Sequence, residues 1–273
     1  MYKLICLDLD GTLLNSKKEL TDNNRNALKK ASLLGIEIVI CTGRLYNLVP
    51  EVIKGLDFTN YAIVINGAQV LDIRNNKAIY DASMTLDTAL SVMKYLDNYD
   101  VIYDCYLDGN AYMTKAKYDL IDNYIKDENY NKMWKKGRNP VGELKQFIIE
   151  NNKPIQKIQF IFKDYRDKNS YMEKMSNIFP NLNITSSMPN NIEINDIKAD
   201  KGIAIKKLAE HIGCTLDEVI GIGDGLNDLG MIQIAGMGIA MGNASKEIIE
   251  ASNDVTDDSD HDGVAKAIAK HCF

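Results

Sequence analysis

The feature that most constrains the fold is a short apolar run that ends in two aspartates near the N-terminus. Leu4 to Leu7 is apolar at every position, and Asp8-Leu9-Asp10-Gly11-Thr12 follows directly. A short apolar run that ends in a glycine turn predicts a buried β-strand. Because ligands bind at the carboxyl ends of the strands in an open parallel sheet, we expect Asp8 and Asp10 to lie at a ligand site.

Two carboxylates this close in the chain repel each other, and the repulsion points to a cation. A divalent metal ion would keep both acids ionised and would accept phosphate oxygens at the same time. The period of two along a strand points Asp8 and Asp10 the same way, but a turn at Gly11 can re-aim Asp10. One carboxylate could then attack while the other moves protons. The motif alone leaves a second interpretation open, a strand that ends in solvated acids.

A second predicted strand also ends in a polar turn. It runs from Ile36 to Cys41 and leads into Thr42-Gly43-Arg44. A helix capped by Thr21 is predicted between the two strands, and this βαβ order places their ends side by side. A hydroxyl beside a glycine suits a turn that holds phosphate, so Thr42 and Gly43 are candidate phosphate ligands. Thr42 as the N-cap of the next helix is the alternative, and one side chain could do both.

The third strand, Tyr61 to Ile65, ends in Asn66-Gly67-Ala68. This triplet is by itself a turn sequence. We interpret it as a turn, with a direct substrate role for Asn66 as the alternative.

A lysine begins a helix in the second half of the chain. Lys201 follows Asp200 at the start of a helix predicted to run to about Ile212. The helix dipole disfavours a positive charge at this end, so the position makes sense if Lys201 binds an anion.

The last polar strand end carries two more aspartates. The strand Val219 to Ile222 leads into Gly223-Asp224-Gly225-Leu226-Asn227-Asp228. Two acids four residues apart across a glycine turn can bring one carboxylate to a metal and the second to support it. An isolated acidic turn is the alternative.

The pattern changes to hairpins mixed with helices between Ala82 and Met188. Val101 to Tyr106 and Asn110 to Thr114 flank an Asp-Gly turn, which predicts a hairpin. We therefore expect residues 1–81 and 189–273 to form one domain and residues 82–188 to form a second α/β domain inserted into it. Asn191 to Ile194 is interpreted as a strand that returns to the first domain.

The polar segment 127–140 holds the only tryptophan, Trp134, together with four cations. It could meet an anionic substrate, but we favour a solvated connection between helices, because lysines on loops are common. The four cations are Lys132, Lys135, Lys136 and Arg138.

Composition excludes several classes of protein. A net charge of -6 and a pI near 5.2 oppose a nucleic-acid or membrane-surface partner. The chain of 273 residues is 45% hydrophobic, yet it contains no apolar run long enough to span a bilayer. Its five cysteines are scattered singly, which opposes a disulfide framework or a zinc site. We expect a cytoplasmic monomer or weak homodimer that has no nucleic-acid or membrane partner, and we expect Cys6 and Cys41 to be core residues.

The strand ends resemble, in chain order, the motifs of the haloacid dehalogenase (HAD) superfamily. Asp8-Leu9-Asp10-Gly11-Thr12 is similar to the first motif, and Thr42-Gly43-Arg44 is similar to the second. Lys201 occupies the place of the third, and Gly223 to Asp228 is similar to the fourth.

The region from Ile194 to Gly202 is similar to Cof-type phosphatases of subfamily IIB, although Ile197-Lys198-Ala199 departs from their commoner proline-glycine-valine spelling. The resemblance covers the whole chain, loosely in the inserted part. It implies an α/β fold with a Rossmann-like three-layer α/β/α core and a parallel sheet, plus an inserted α/β cap domain of the C2B type.

The resemblance also implies a Mg²⁺-dependent phosphatase and a role for each motif residue. Asp8 would attack phosphorus to form an aspartyl-phosphate, and Asp10 would protonate the leaving oxygen and then activate water. Phosphate or substrate would be bound by Thr42, Gly43, Lys201 and Asn227. The metal would be held by Asp8, Asp10 through its carbonyl and Asp224, with Asp228 as a further ligand or as support for the others.

These motifs address only the phosphoryl group, so the inserted segment must discriminate among esters. We expect a small-molecule substrate such as a sugar phosphate or a phosphorylated cofactor. A hexose phosphomutase of the same superfamily is the nearest alternative. A domain that is phosphorylated on Asp8 without turnover is opposed by Asp10, and a non-catalytic sensor of phosphorylated ligands is the remaining alternative.

Overall fold

The computed structural model describes residues 1–164, 166–186 and 188–273, and it divides into two compact units. The first unit combines Met1–Asp81 with Ala199–Phe273, and the second unit is Ala82–Lys198. The second unit is therefore inserted in the chain between the two parts of the first.

The strands are numbered in chain order. The first part of the first unit contains β1 (Leu4–Leu7), β2 (Glu37–Cys41), β3 (Tyr61–Val64), β4 (Gln69–Asp72) and β5 (Lys77–Asp81). The second unit contains β6 (Val101–Leu107), β7 (Asn110–Thr114), β8 (Arg138–Val141), β9 (Lys157–Phe162), β10 (Leu182–Thr185) and β11 (Asn191–Asp196). The last part of the first unit contains β12 (Val219–Gly223), β13 (Met237–Ala240) and β14 (Asp254–Val255).

The helices follow the same order. The first part of the first unit contains α1 (Asp22–Leu33) and α2 (Glu51–Lys54). The second unit contains α3 (Leu86–Leu96), α4 (Lys115–Tyr118), α5 (Ile121–Tyr124), α6 (Glu128–Lys136), α7 (Leu144–Asn151) and α8 (Lys168–Ile178). The last part of the first unit contains α9 (Lys201–Ile212), α10 (Leu229–Ile234), α11 (Lys246–Ala251) and α12 (Gly263–Cys272). Short 3-10 turns occur at Tyr46–Leu48, Ile65–Gly67, Leu216–Glu218, Leu226–Asp228 and Ser259–His261.

The first unit is built on a sheet with the strand order β14-β13-β12-β1-β2-β3-β4-β5. Neighbouring strands are parallel from β14 to β3, and β4 and β5 add an antiparallel hairpin at one edge. Alternate residues of β1 face opposite layers: Ile5 and Leu7 pack with α1 and α12, whereas Leu4 and Cys6 pack with α9 and α10. This three-layer arrangement confirms the predicted fold class, and the edge hairpin is an addition to it.

The strand order determines which segments meet. β1 lies between β12 and β2 and is parallel to both. The carboxyl ends of these three strands therefore lie at one edge of the sheet, where the segments that begin at Asp8, Thr42 and Asp224 follow them.

The second unit has a sheet with the order β10-β11-β9-β6-β7-β8. The predicted hairpin is confirmed, because β6 and β7 are antiparallel neighbours. Asp108 and Gly109 join them with φ angles of 48° and 70°. Two consecutive positive φ angles match the turn that Asp-Gly favours between antiparallel strands.

The strand near Asn191 does not return to the sheet of the first unit, so that part of the prediction is wrong. β11 is antiparallel to both β9 and β10. Ile192 and Ile194 are fully buried in the core of the second unit. The second unit therefore extends to Lys198, beyond the expected boundary at residue 188.

The segment 127–140 is not a solvated connection, and that prediction is also wrong. Its first part is helix α6, whose N-cap, Asp127, accepts a hydrogen bond from the Tyr130 N–H. Trp134 is fully buried, and Arg138 is buried in β8. The four cations do not form one surface, because three of them lie on α6 and Arg138 lies in β8. Lys132 pairs with Glu128, Lys135 pairs with Asp122, Arg138 pairs with Asp104, and Lys136 is exposed.

The structure also bears on predictions from composition. Cys6 and Cys41 are buried, which confirms them as core residues, and the cysteines are free thiols. Among the described residues, no helix has both the length and the apolar composition that a membrane span needs.

Candidate active site

Three carboxylates form a cluster at the carboxyl edge of the sheet in the first unit. Asp8 follows β1, and Asp224 and Asp228 lie in the turn after β12. One oxygen from each of the three lies within 4.8 Å of the others. Asp8 and Asp228 are buried, and Asp224 is half-buried. The structure thus brings Asp8 together with two acids from which it is separated by more than half of the chain.

Lys201 is the cation of this cluster. Its Nζ donates hydrogen bonds to Asp8 Oδ1 at 2.7 Å and to Asp228 Oδ1 at 2.5 Å. The side chain is fully buried, although Lys201 is the first residue of α9. Asp200 caps that helix by accepting a hydrogen bond from the Ile203 N–H, so a side-chain cap and a buried lysine share one helix end. When the three acids are ionised, one ammonium leaves the cluster with two negative charges in excess.

The burial of these acids affects their pKa values, and the neighbouring charges modify its effect. Burial and, to a smaller extent, the charge of Asp228 raise the pKa of Asp8 to about 7, against the opposing effect of Lys201. Burial likewise raises the pKa of Asp224 to about 6. Burial lowers the pKa of the Lys201 ammonium, but the charges of Asp228 and Asp8 outweigh it and the net shift is upward. Carboxylates that are incompletely neutralised fit a divalent cation, and carboxylate oxygens are the ligands that Mg²⁺ prefers.

The turn after β12 is held by side chains and backbone together. Asp228 Oδ2 accepts hydrogen bonds from the N–H groups of Asp224 and Gly225, each at 3.0 Å. Asp224 Oδ1 accepts a bond of 2.8 Å from the Thr12 hydroxyl, which joins this turn to the loop after β1. Asn243 donates to the Gly11 carbonyl at 2.9 Å and, at a longer 3.4 Å, to Asp224 Oδ2. Because Lys201 contacts Oδ1 and these two N–H groups contact Oδ2, both oxygens of Asp228 are engaged in hydrogen bonds.

Thr42 lies at the end of β2, beside the end of β1. Its N–H donates to the Ile63 carbonyl at 2.8 Å, and its hydroxyl oxygen accepts a bond of 3.2 Å from the Arg44 N–H. Thr42 does not cap a helix, so that alternative is wrong: the next 3-10 turn begins at Tyr46, after Leu45. Thr42 and Gly43 instead form a turn of the kind that can hold phosphate oxygens.

Asp10 does not join the acidic cluster through its side chain. Gly11 has a φ of 90°, and this turn re-aims the Asp10 carboxylate towards two cations. Arg44 donates two bonds of 2.7 Å, one to each oxygen, and Lys18 donates a third of 2.8 Å. Burial would raise the pKa of the Asp10 carboxyl, but the hydrogen bonds and charges of Arg44 and Lys18 outweigh it and hold the pKa below its usual value.

Asn227 lies in the turn between Asp224 and Asp228 and is half-exposed. Its side-chain amide donates a long hydrogen bond of 3.4 Å to Asn66 Oδ1. The turn after β3 thus reaches the same edge of the sheet as the turns after β1, β2 and β12.

Four residues that contact the candidate site were not predicted from the sequence. Thr12, Lys18, Arg44 and Asn243 hold the aspartates in place. Thr12 and Arg44 lie inside recognised motifs, and this was the only available signal, because no spacing rule identifies a partner that is distant in the chain. The three histidines lie elsewhere: His261 and His271 each contact an aspartate at 2.7 Å, and His211 packs edge-on against Tyr61.

Comparisons with known proteins agree with this arrangement. A family model described as haloacid dehalogenase-like hydrolase matches residues 5–268. The 5-amino-6-(5-phospho-D-ribitylamino)uracil phosphatase YcsE of Bacillus subtilis is 32% identical over 97% of this chain and 94% of its own length. Phosphatase YwpJ of the same organism is 30% identical over 96% of this chain and 97% of its own length. A haloacid dehalogenase-like hydrolase from Bacteroides thetaiotaomicron has a TM-score of 0.83 at 29% identity and 99% coverage of both chains.

The chain therefore belongs to the haloacid dehalogenase superfamily. Within it, the chain is a Cof-type hydrolase and a phosphoric monoester hydrolase.

Proposed function

We propose that this hydrolase is a Mg²⁺-dependent phosphatase that cleaves small phosphate monoesters through a phosphoryl intermediate on Asp8. The observation that carries the proposal is the position of Asp8, which lies 2.7 Å from Lys201 Nζ and in reach of the oxygens of Asp224 and Asp228. A buried carboxylate beside a fixed cation can approach an anionic phosphoryl group, because the cation stabilises both charges.

The chemistry proposed for Asp8 begins with its free oxygen. Lys201 engages Oδ1, so Oδ2 attacks phosphorus. As the bond between Oδ2 and phosphorus forms, the bond to the ester oxygen breaks, and its electron pair leaves with that oxygen. A water molecule then attacks phosphorus and the bond to Oδ2 breaks, which forms inorganic phosphate and restores the Asp8 carboxylate.

Asp10 is proposed to move the protons. Its ion pairs with Arg44 and Lys18 favour the ionised form, which suits a base that takes a proton from the attacking water. To protonate the leaving oxygen, Asp10 must first take up a proton from solvent, for which one of these two cations must withdraw when substrate is bound. Asp10 gives this proton to the leaving oxygen and later takes one from the attacking water.

The phosphoryl oxygens and the substrate are proposed to be held by four residues at the same edge of the sheet. Lys201 offers a fixed positive charge, and Thr42 offers a hydroxyl at the end of β2. Gly43 offers a backbone N–H without a side chain in the way, and Asn227 offers an amide at the half-exposed turn. Fixed donors of this kind stabilise the charge that develops on the phosphoryl group.

The metal is proposed to be held by the Asp8 and Asp224 carboxylates and by the backbone carbonyl of Asp10. When bound, Mg²⁺ supplies positive charge to the cluster and polarises phosphoryl oxygens. Asp228 would orient the turn that carries Asp224, because both of its oxygens are engaged there.

The substrate is proposed to be a small soluble ester. The first compound to test is 5-amino-6-(5-phospho-D-ribitylamino)uracil, because the relative YcsE from Bacillus subtilis is named as a phosphatase of this compound. Sugar phosphates and other phosphorylated cofactors follow it. We also propose a cytoplasmic location and a monomer or weak homodimer, since scattered free thiols suit a reducing compartment.

The experiment measures inorganic phosphate released by the purified protein from p-nitrophenyl phosphate and from a panel of these metabolites, with Mg²⁺ or with EDTA. We expect hydrolysis that requires Mg²⁺, and we expect a hexose 1-phosphate to yield inorganic phosphate. Formation of the hexose 6-phosphate would identify a mutase instead. Release that EDTA leaves undiminished would remove the metal from the proposal, and no release from any ester would overturn the proposal as a whole.

A further inference from the structure

A strained turn follows β3 at the candidate active site. Ile65, Asn66 and Gly67 have consecutive φ angles of 56°, 57° and 90°. Asparagine and glycine tolerate this left-handed region, but an isoleucine is a genuine outlier there because its side chain branches at Cβ. Strained conformations persist only where the surroundings over-determine them, and they cluster at functional sites.

The surroundings of this turn are the phosphate-binding elements of the first unit. The Ile65 N–H donates to the Arg44 carbonyl at 3.0 Å, and the Asn66 N–H donates to the Thr42 carbonyl at 3.1 Å. On the other side, a Cβ at Gly67 would lie 2.3 Å from the Asp200 carbonyl oxygen. The turn is therefore packed between the loop that carries Thr42 and the start of the helix that carries Lys201.

The Asn66 side chain links the same elements. It is only 6% exposed. Its Oδ1 would lie 2.6 Å from a Cβ at Gly43, so the amide rests directly on the backbone of that loop. The same oxygen accepts the hydrogen bond from Asn227. One buried amide thus contacts both the turn after β2 and the turn after β12.

We propose that Asn66 is a positioning residue, which holds the amide of Asn227 against the Thr42-Gly43 loop. The left-handed turn is the device that aims the Asn66 side chain inward. This inference rests on the proposed phosphatase function, because it assigns Asn66 to the binding of the phosphoryl group through Asn227.

The test is Asn66→Gly, which removes the amide and keeps the backbone conformation, since glycine adopts positive φ without strain. We expect kcat/KM for p-nitrophenyl phosphate to fall about tenfold to a hundredfold, because small displacements of a positioned group have effects of this size. The division of the loss between KM and kcat should match that of Asn227→Ala, since both changes act through one amide. Cooperative unfolding should be retained.

The matched control is Asn76→Gly. Asn76 also has a positive φ, of 48°, but it is exposed in the turn between β4 and β5. The same substitution in the same backbone region should leave kcat/KM unchanged. A second control is the double variant Asn66→Gly with Asn227→Ala, which should be no worse than Asn227→Ala alone.

A readout without catalysis keeps this inference separate from the proposed function. Hydrogen exchange of the backbone amides from residue 224 to residue 229 should accelerate severalfold in Asn66→Gly and stay unchanged in Asn76→Gly. If the unmodified protein hydrolyses no ester, the proposed function fails, and hydrogen exchange still decides the inference. Unchanged exchange, multiplicative losses in the double variant, or a loss of cooperative unfolding in Asn66→Gly would each overturn the positioning role.

Discussion

The two units of this protein both bury charged side chains, but they balance them differently. In the second unit, Arg138 donates a bond of 2.7 Å to Asp104, and Lys157 donates one of 3.1 Å to Glu193. These four side chains lie on strands of one sheet and are all buried. In the first unit, Lys201 serves Asp8 and Asp228, with Asp224 beside them.

The difference separates structural charges from a binding site. Each of these two acids has its own cation, so the charges of the group balance, although Asp104 Oδ1 has no hydrogen-bond partner among the described residues. The cluster in the first unit has three acids and one cation, and these acids lie on turns after strands rather than within a sheet. Buried charges are costly unless they are compensated, so an uncompensated group is retained for what it binds. The comparison predicts chemical effects from changes in the first unit and stability effects from changes in the second.

The largest effect is expected from Asp8→Asn. The variant keeps the shape of the side chain but loses the nucleophile and one charge of the cluster, so kcat should fall by about 10⁴-fold or more. Hydrolysis of p-nitrophenyl phosphate measures the loss. Rapid-quench labelling of the unmodified protein should place phosphate on Asp8, and a label on any other residue would remove Asp8 from its assigned role.

The balanced group predicts a large loss of stability from Arg138→Met. Asp104 would then be left buried without its cation, at a cost of about 3–5 kcal/mol in the free energy of unfolding. Denaturant titration measures this change. Adding Asp104→Leu should recover most of the loss, because a pair of apolar side chains needs no compensation. A double variant as unstable as Arg138→Met alone would contradict the view that the pair is self-contained.

In the cluster of the first unit, removing an acid should stabilise the protein when no metal is bound, which is the opposite of the effect expected for Arg138→Met. Burial raises the pKa of Asp8 to about 7, whereas an aspartate in an unfolded chain has a pKa of about 3.9. As the pH rises between these values, the unfolded chain ionises first, so the folded protein loses stability over this window and loses no more above it. In EDTA at pH 8, Asp8→Asn should therefore be more stable than the unmodified protein by about 1–3 kcal/mol.

Thermal unfolding between pH 4 and pH 8 checks the sign of this effect. The advantage of Asp8→Asn should vanish near pH 4, grow to about pH 7 and then stay level. Added Mg²⁺ should stabilise the unmodified protein more than the variant, because the variant has lost a charged ligand. Equal stability of the two proteins at pH 8 in EDTA would mean that the cluster is already balanced, as in the second unit.

The smallest effect is expected at a partly exposed ion pair that serves neither group. Asp254 accepts bonds of 2.7 Å from Lys270 and from His271, and these lower its pKa to about 2. Asp254→Asn should cost about 0.5–1 kcal/mol at neutral pH, as is usual for such pairs. The cost should disappear as the pH falls from about 4 to about 2, because the unmodified aspartate then protonates. A loss larger than that from Arg138→Met would invert the order expected from burial.

The sequence by itself determined the parallel core and the meeting of its motifs. Asp8, Thr42 and Asp224 each follow an apolar run, and the βαβ order leaves few ways to arrange the strands that precede them. Lys201 was identified from its unfavourable position at a helix start. The place of Thr42 beside Asp8 follows from this general rule of topology, whereas the approach of Lys201 and Asp224 to Asp8 was implied by the resemblance to the haloacid dehalogenase motifs.

Only the tertiary structure decided the features that depend on distant partners. The isoleucines of Asn191–Asp196 could pack in the core of either unit, and only the pairing of this strand with β9 and β10 assigned it to the second unit. The motif indicated that the turn at Gly11 can re-aim Asp10, but only the structure shows that its carboxylate contacts Arg44 and Lys18. A strand pattern specifies which face is buried, but the partner that covers it is chosen by contacts that the local sequence does not encode.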